Sequence, residues 1–190
     1  MELNTFLMMG PPGSGKGTQG KLLADKIQAE LYSTGKRCRE FAANNTYFGN
    51  RTKEVIESGD LMPEWFSIYL FEDKAVKLAP QDKIVFDGSG RKLLEAQRFH
   101  EVMEWLKRPY KVLYIHVSDE SLHARLLERE AREKRADDVA GAIKLRFEKF
   151  REHTLPAIEY FRSQGMLVEV SGEDTIENVH QNVLKTLQIS

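Results

Sequence analysis

Apolar runs alternate with helical patterns along this chain. Phe6-Leu7-Met8-Met9 is continuously apolar, and after a Gly/Pro-rich stretch Leu22, Leu23 and Ile27 fall on one side of a helix. A short stretch at Leu31-Tyr32-Ser33 follows, then a long, charged and partly helical segment from Thr34 to Pro80. Ile84-Val85-Phe86 predicts a buried strand ending in Asp87-Gly88, and a helix over Leu93 to Leu106 stops before Pro109. The stop is physical, because the residue ahead of a proline is driven out of helical geometry. Lys111 to Val117 predicts the next strand, with Ser118 as N-cap and Asp119 and Glu120 in the following first turn, where a helix favours negative charge. Val139, Ile143, Phe147 and Phe150 repeat at helical spacing, and Met166 to Val170 predicts a last strand. Asp174 with Glu177 predicts a capping box that opens the final helix.

Strands separated by helices require crossover connections. The expected fold class is therefore α/β, a mainly parallel sheet sandwiched by helices. Ligands of such sheets bind past the carboxyl ends of the strands. Asp87 falls there, and so does the stretch Gly10-Pro11-Pro12-Gly13-Ser14-Gly15-Lys16-Gly17-Thr18-Gln19 between the first strand and the first helix.

That stretch has the context of a phosphate-binding loop. Glycines let the backbone curl around an anion with no Cβ in the way, while successive N–H groups and the helix N-terminus point at the phosphate. Gly13, Ser14, Gly15, Gly17 and Thr18 are the expected cradle, and Lys16 adds a point charge for the outer phosphates. Gly17 sits where a metal-contacting hydroxyl is expected, so Thr18 is read first as a phosphate ligand and only secondarily as a contact to Mg²⁺. Asp87 closes an apolar strand, where a carboxylate needs a partner or a cation. Beside a nucleotide phosphate it suits Mg²⁺ held through water, although capping a turn with Gly88 would also account for it.

Arginines supply the remaining candidate chemistry. Arg125 and Arg129 are four apart on one helix face, Arg135 precedes Asp137-Asp138, and Arg146 lies on the next helix. Phosphoryl transfer needs positioned cations and a dry site more than covalent chemistry, and such a flap could supply both. Taken alone, the charge-laced run from Glu128 to Asp138 equally fits a solvated helical face. Arg39 and Arg91 would sit past strand ends on the same rim as the loop, and two arginines there suit bidentate capture of a second phosphate. In isolation Arg39 also reads as an ordinary surface arginine.

Bulk composition narrows the partners. Against 29 acidic residues stand 28 basic ones in a chain of 190, which fits one domain with no global field to recruit nucleic acid or an anionic membrane. No apolar run approaches a membrane span, and the N-terminus lacks a secretory pattern. The single cysteine, Cys38, cannot form an internal disulfide or a cysteine-based zinc site. A cytoplasmic monomer is expected, since no long apolar stripe is left over once each helix has a sheet to cover.

Taken in order, these pieces resemble the adenylate kinase family of nucleoside monophosphate kinases. The likeness spans nearly the whole chain: Gly10 to Gln19, Ser33-Thr34-Gly35 with Arg39, Ser58-Gly59-Asp60-Leu61-Met62-Pro63-Glu64, Asp87-Gly88 with Arg91, Arg125 to Arg129, Arg135 to Asp138, Arg146 and Thr154-Leu155-Pro156. It implies a P-loop kinase binding ATP and Mg²⁺, with a core (1–33, 81–128 and 139–190), a monophosphate-binding insert (34–80) and a short lid (129–138) that lacks the zinc-capable extension of many bacterial relatives. By that likeness Lys16, Arg125, Arg129, Arg135 and Arg146 steady the ATP phosphates and the transferred group, and Asp137 and Asp138 help position the lid. Thr34, Gly35, Arg39, Gly88, Arg91 and Glu95, with Arg135 and Arg146, would hold the acceptor; Lys16, Arg91, Arg129, Arg135 and Arg146 form the catalytic set.

Departures from the family pattern cluster on the acceptor side. Lys36 stands where relatives usually carry Asp, Gly88-Ser89-Gly90-Arg91 replaces Gly-Phe-Pro-Arg, and Glu95 replaces the glutamine that reads the adenine of AMP. A glutamine offers a donor and an acceptor, whereas an ionised glutamate only accepts. Guanine presents two adjacent donors, so GMP or dGMP becomes an alternative acceptor to AMP. If Glu95 instead faces solvent or pairs with Lys36, AMP use is unaffected. A small-metabolite kinase on the same scaffold, or an ATP-binding sensor without turnover, are the other readings.

Overall fold

The computed structural model describes residues 3–133 and 140–189, the side chains of 128–141 excepted. Among the described residues, five parallel strands form one sheet in the order β2-β3-β1-β4-β5. These are β1 (Thr5–Met9), β2 (Glu30–Ser33), β3 (Ile84–Asp87), β4 (Tyr110–His116) and β5 (Leu167–Ser171). β1 is buried along its whole length between β3 and β4. Burial on both faces explains why the central strands read as unbroken apolar runs.

Alternation along β1 divides the core. Phe6 and Met8 point to one face and pack with Leu23 of α1 (Lys16–Ile27) and Val183 of α9 (Ile176–Leu187). Leu7 and Met9 point to the other, against Phe99 and Met103 of α5 (Leu93–Trp105) and Phe161 of α8 (Leu155–Ser163). A large side chain fully buried in this way contributes about 1.5–3 kcal/mol.

Between β2 and β3 the chain forms α2 (Thr34–Ala42), α3 (Tyr47–Ser58) and α4 (Glu64–Ala75). Ser33 caps α2 by accepting from the Lys36 N–H, and Thr46 caps α3 by accepting from the Gly49 N–H. These helices carry their own small core of Cys38, Phe66 and Leu70, with Phe41, Phe48, Ile56 and Met62 packed around it. After β4 come α6 (Asp119–Glu133), α7 (Ala140–Lys149) and a π-helical turn (Phe150–Thr154) that leads into α8. No helix among the described residues is long and apolar enough to cross a membrane.

The final helix is capped one residue later than the sequence suggests. Thr175, not Asp174, is the N-cap: its hydroxyl accepts from the Asn178 N–H at 3.2 Å. Thr175 has ψ 157°, so helical geometry starts at Ile176 and the third helical residue is Asn178 rather than Glu177. Asp174 supports the turn from outside, its Oδ1 accepting from the Thr175 N–H and from Asn178 Nδ2.

Candidate active site

Parallel strands end on one edge, and there Ser33 is in register with Asp87 and Met8 of β1 with the same aspartate. The loop after β1 turns sharply, with the Ser14 N–H donating to Pro11 O at 3.2 Å. At Gly10 a Cβ would lie 2.6 Å from Ser14 Oγ and 2.7 Å from Ile115 O, so only glycine fits beneath the loop. Gly13 and Gly15 take φ of 84° and 85°, the left-handed region that other residues avoid. Gly15 is the N-cap of α1 and offers no capping side chain. The first N–H groups of the helix are thereby left to an anion. Lys16 is the first helical residue, and its ammonium folds over the loop to donate to Pro11 O at 3.1 Å. Ser14 Oγ is buried without a hydrogen-bond partner among the described residues.

Asp87 faces this loop from the end of β3. Its Oδ2 accepts from Ser33 Oγ at 3.3 Å and lies 3.6 Å from where a Gly17 Cβ would stand. Oδ1 is buried and has no partner among the described residues. A carboxylate at the phosphate loop with one unsatisfied oxygen fits hydrated Mg²⁺, which takes few protein ligands and keeps most of its water.

Both groups open into a cavity of 1080 Å³. That is just above the range of about 300–1,000 Å³ for single-ligand pockets, which leaves room for two phosphorylated molecules. Its walls include Gly13, Ser14, Gly15, Lys16, Gly17 and Thr18 on one side and Thr34, Gly35, Arg39, Gly88, Arg91 and Glu95 on another, with Arg125 and Arg146 also contributing. The Arg129 side chain and Arg135, Asp137 and Asp138 lie outside the described residues. Arg125 Nη2 donates to Gly172 O at 2.7 Å, which ties α6 to the loop after β5.

Elsewhere in the cavity wall, Arg39 Nη1 rests 3.4 Å from where a Cβ of Gly35 would be, and Arg91 Nη2 2.8 Å from that of Gly88. Each guanidinium thus lies over a glycine backbone. Glu95 is 5% exposed. It neither faces solvent nor pairs with Lys36: its Oε2 accepts from the Arg91 N–H at 2.9 Å while the side chain lines the cavity. Burial pushes its carboxyl above the usual carboxylate range, opposed by the backbone N–H and guanidinium of Arg91 and by Lys92. The Cys38 thiol is likewise pushed up by burial, against Arg91 and Arg39.

Sequence reasoning missed several lining residues. Ser89 is 2% exposed, and its hydroxyl shares a 2.9 Å hydrogen bond with that of Thr34. Gly172, Asp174, Thr175 and Ile176 form a wall beside the phosphate loop, where Gln19 Nε2 donates to Ile176 O at 2.9 Å. The rule that ligands sit past strand ends applies to β5 as much as to β1, and would have found that wall.

The sequence profile of the family described as Adenylate kinase matches residues 8–166. The chain belongs to the adenylate kinase family. Relatives include the adenylate kinase of Leptospira biflexa, 31% identical over 186 residues (97% of this chain and 100% of that protein). The Thermus thermophilus adenylate kinase is 32% identical over 184 residues (96% of each chain), and that of Deinococcus radiodurans 32% over 185 (94% and 93%). As a member of the adenylate kinase family, the chain is an ATP-dependent nucleoside monophosphate kinase, a phosphotransferase acting between ATP and a nucleoside monophosphate.

Proposed function

We propose that this enzyme moves the γ-phosphoryl group of ATP, in line and without a covalent enzyme intermediate, to a monophosphate whose base is read by Glu95. The reading assigns ATP to the phosphate loop and the acceptor to Arg39 and Arg91, with Thr34, Gly35 and Gly88 shaping that end. Lys16, Arg91, Arg129, Arg135 and Arg146 would stabilise the charge in transfer, and Arg125 would hold the ATP phosphates. Residues 34–80 then serve as the acceptor-binding insert and 129–138 as a short lid that excludes water. Asp87, with Thr18 as a lesser contact, would hold hydrated Mg²⁺, which when bound screens the phosphate charge. Cytoplasmic location and a monomeric state belong to the same proposal.

The observation that carries it is the single cavity shared by the phosphate loop and the two acceptor arginines. The place of Glu95 in its wall rather than in solvent supports a base-reading role, and its ionised form favours GMP or dGMP over AMP. An acceptor-only carboxylate matches the N1–H and N2–H₂ of guanine and meets adenine N1 lone pair to lone pair. The mismatch costs about 1–3 kcal/mol, roughly ten- to a hundredfold in binding. Initial rates with ATP and each of AMP, GMP, CMP, UMP and dTMP test both levels. Transfer to at least one monophosphate, lost about 10²–10³-fold in Lys16→Ala, is expected; turnover untouched by that change would remove the assignment of Lys16. A strong AMP preference that Glu95→Gln leaves unaltered would remove the guanine reading alone.

A further inference from the structure

The loop from Gly88 to Arg91 is held in a shape that a Phe-Pro pair could not take. Gly90 has φ +67°, whereas proline is locked near −65°, and a Cβ at Gly90 would lie a tight 3.3 Å from Leu7, with Phe161 in ordinary contact at 3.5 Å. Ser89, between two left-handed glycines, is turned inward until its hydroxyl meets Thr34 at 2.9 Å, both residues being at most 5% exposed. Thr34 adjoins Gly35, over which Arg39 lies; Ser89 adjoins Gly88, over which Arg91 lies. One buried hydrogen bond therefore joins the two backbone seats on which the acceptor arginines rest. One strand-end earlier, Ser33 and Asp87 make a parallel link at 3.3 Å.

We propose that Ser89 is a positioning residue for the acceptor: its bond to Thr34 sets the separation of the Arg39 and Arg91 guanidiniums across one phosphate. The inference rests on the functional reading above. Guanidinium capture of phosphate is bidentate and planar, so it tolerates little drift of either partner. A buried hydroxyl that loses its partner also leaves the other unsatisfied.

Steady-state kinetics test it. Ser89→Ala is expected to raise the KM for the monophosphate about tenfold, with a smaller fall in kcat because Arg91 also serves the transfer, while the KM for ATP stays within about twofold. Ser89→Thr, which keeps the hydroxyl, should recover most of the loss. Thr34→Val breaks the same bond from the other side, and the double variant should lose no more than the larger single, as expected for one shared interaction; if Ser89→Ala fails to fold, Ser89→Cys, which keeps the size and weakens the hydrogen bond, is read in its place. Calorimetry separates a clamp from a mere change of wall: the variants should weaken whichever monophosphate accepts the phosphoryl group but not the corresponding nucleoside. Equal weakening of both, or an ATP KM that rises by the same factor, overturns the proposal. Should wild type transfer to no monophosphate, the functional reading fails by itself, and titration with inorganic phosphate still reports whether Ser89→Ala loosens the arginine pair.

Discussion

Glu95 has two chemical identities, and its surroundings decide between them. Ionised, it only accepts hydrogen bonds; protonated, it offers a donor and an acceptor and mimics a glutamine. Its pKa is raised by burial, with Arg91 and Lys92 pulling the other way. A group whose folded pKa exceeds its unfolded value holds its proton more tightly in the folded state. Its contribution to stability is thus present below the unfolded pKa and lost as pH rises through the folded one. The same titration should reach specificity. The ratio of kcat/KM for GMP to that for AMP is expected to rise with pH through the Glu95 transition, and to become flat in Glu95→Gln. Paired pH profiles of wild type and variant measure it; parallel slopes in the two proteins would show that Glu95 does not read the base.

At the scale of elements, strands were more legible than caps and loops, for physical reasons. Ile84-Val85-Phe86 is 0% exposed, and burial on both faces leaves an apolar run that no local ambiguity disguises. Caps turn on one residue's ψ, as at Thr175, and Asp-Thr is a pair in which either member can cap. Thr175→Ala is expected to lower Tm by about 2–4 °C, a loss of about 1 kcal/mol in a domain of this size. Glu177→Ala should change it by no more than about a degree, since Glu177 is not the third helical residue; thermal melts of the two variants decide. The Gly88–Arg91 loop was least legible, because it combines a positive φ at Gly90 with packing against Leu7 and Phe161, which lie far away in sequence. The candidate site was half visible on the same grounds: the phosphate loop is a local motif, whereas the inward turn of Ser89 and the burial of Glu95 depend on tertiary packing.

Across the whole molecule, the three-helix segment meets α7 at a tight point among the described residues. Gly59, the left-handed C-cap of α3, packs so closely on α7 that a Cβ there would lie 2.7 Å from Ala142 O and 3.0 Å from Ala142 Cα. Both are backbone atoms of a helix, which cannot swing aside as a side chain can. If phosphoryl transfer needs the insert drawn up against α7 so that water is excluded, a methyl group at 59 should hold the two apart. It also forces a side chain into φ +82°, so strain must be separated from propping. Gly165 provides the control: φ is +69° there and a Cβ would meet nothing within 4 Å. Both Gly→Ala changes should cost stability, about 1–2 kcal/mol for a left-handed residue, read as falls in Tm. Only Gly59→Ala should also lower transfer to the monophosphate and raise the share of ATP lost to hydrolysis, measured as phosphate released per nucleoside diphosphate formed. Equal kinetics in the two variants would mean that the contact at Ala142 is packing without a part in closure.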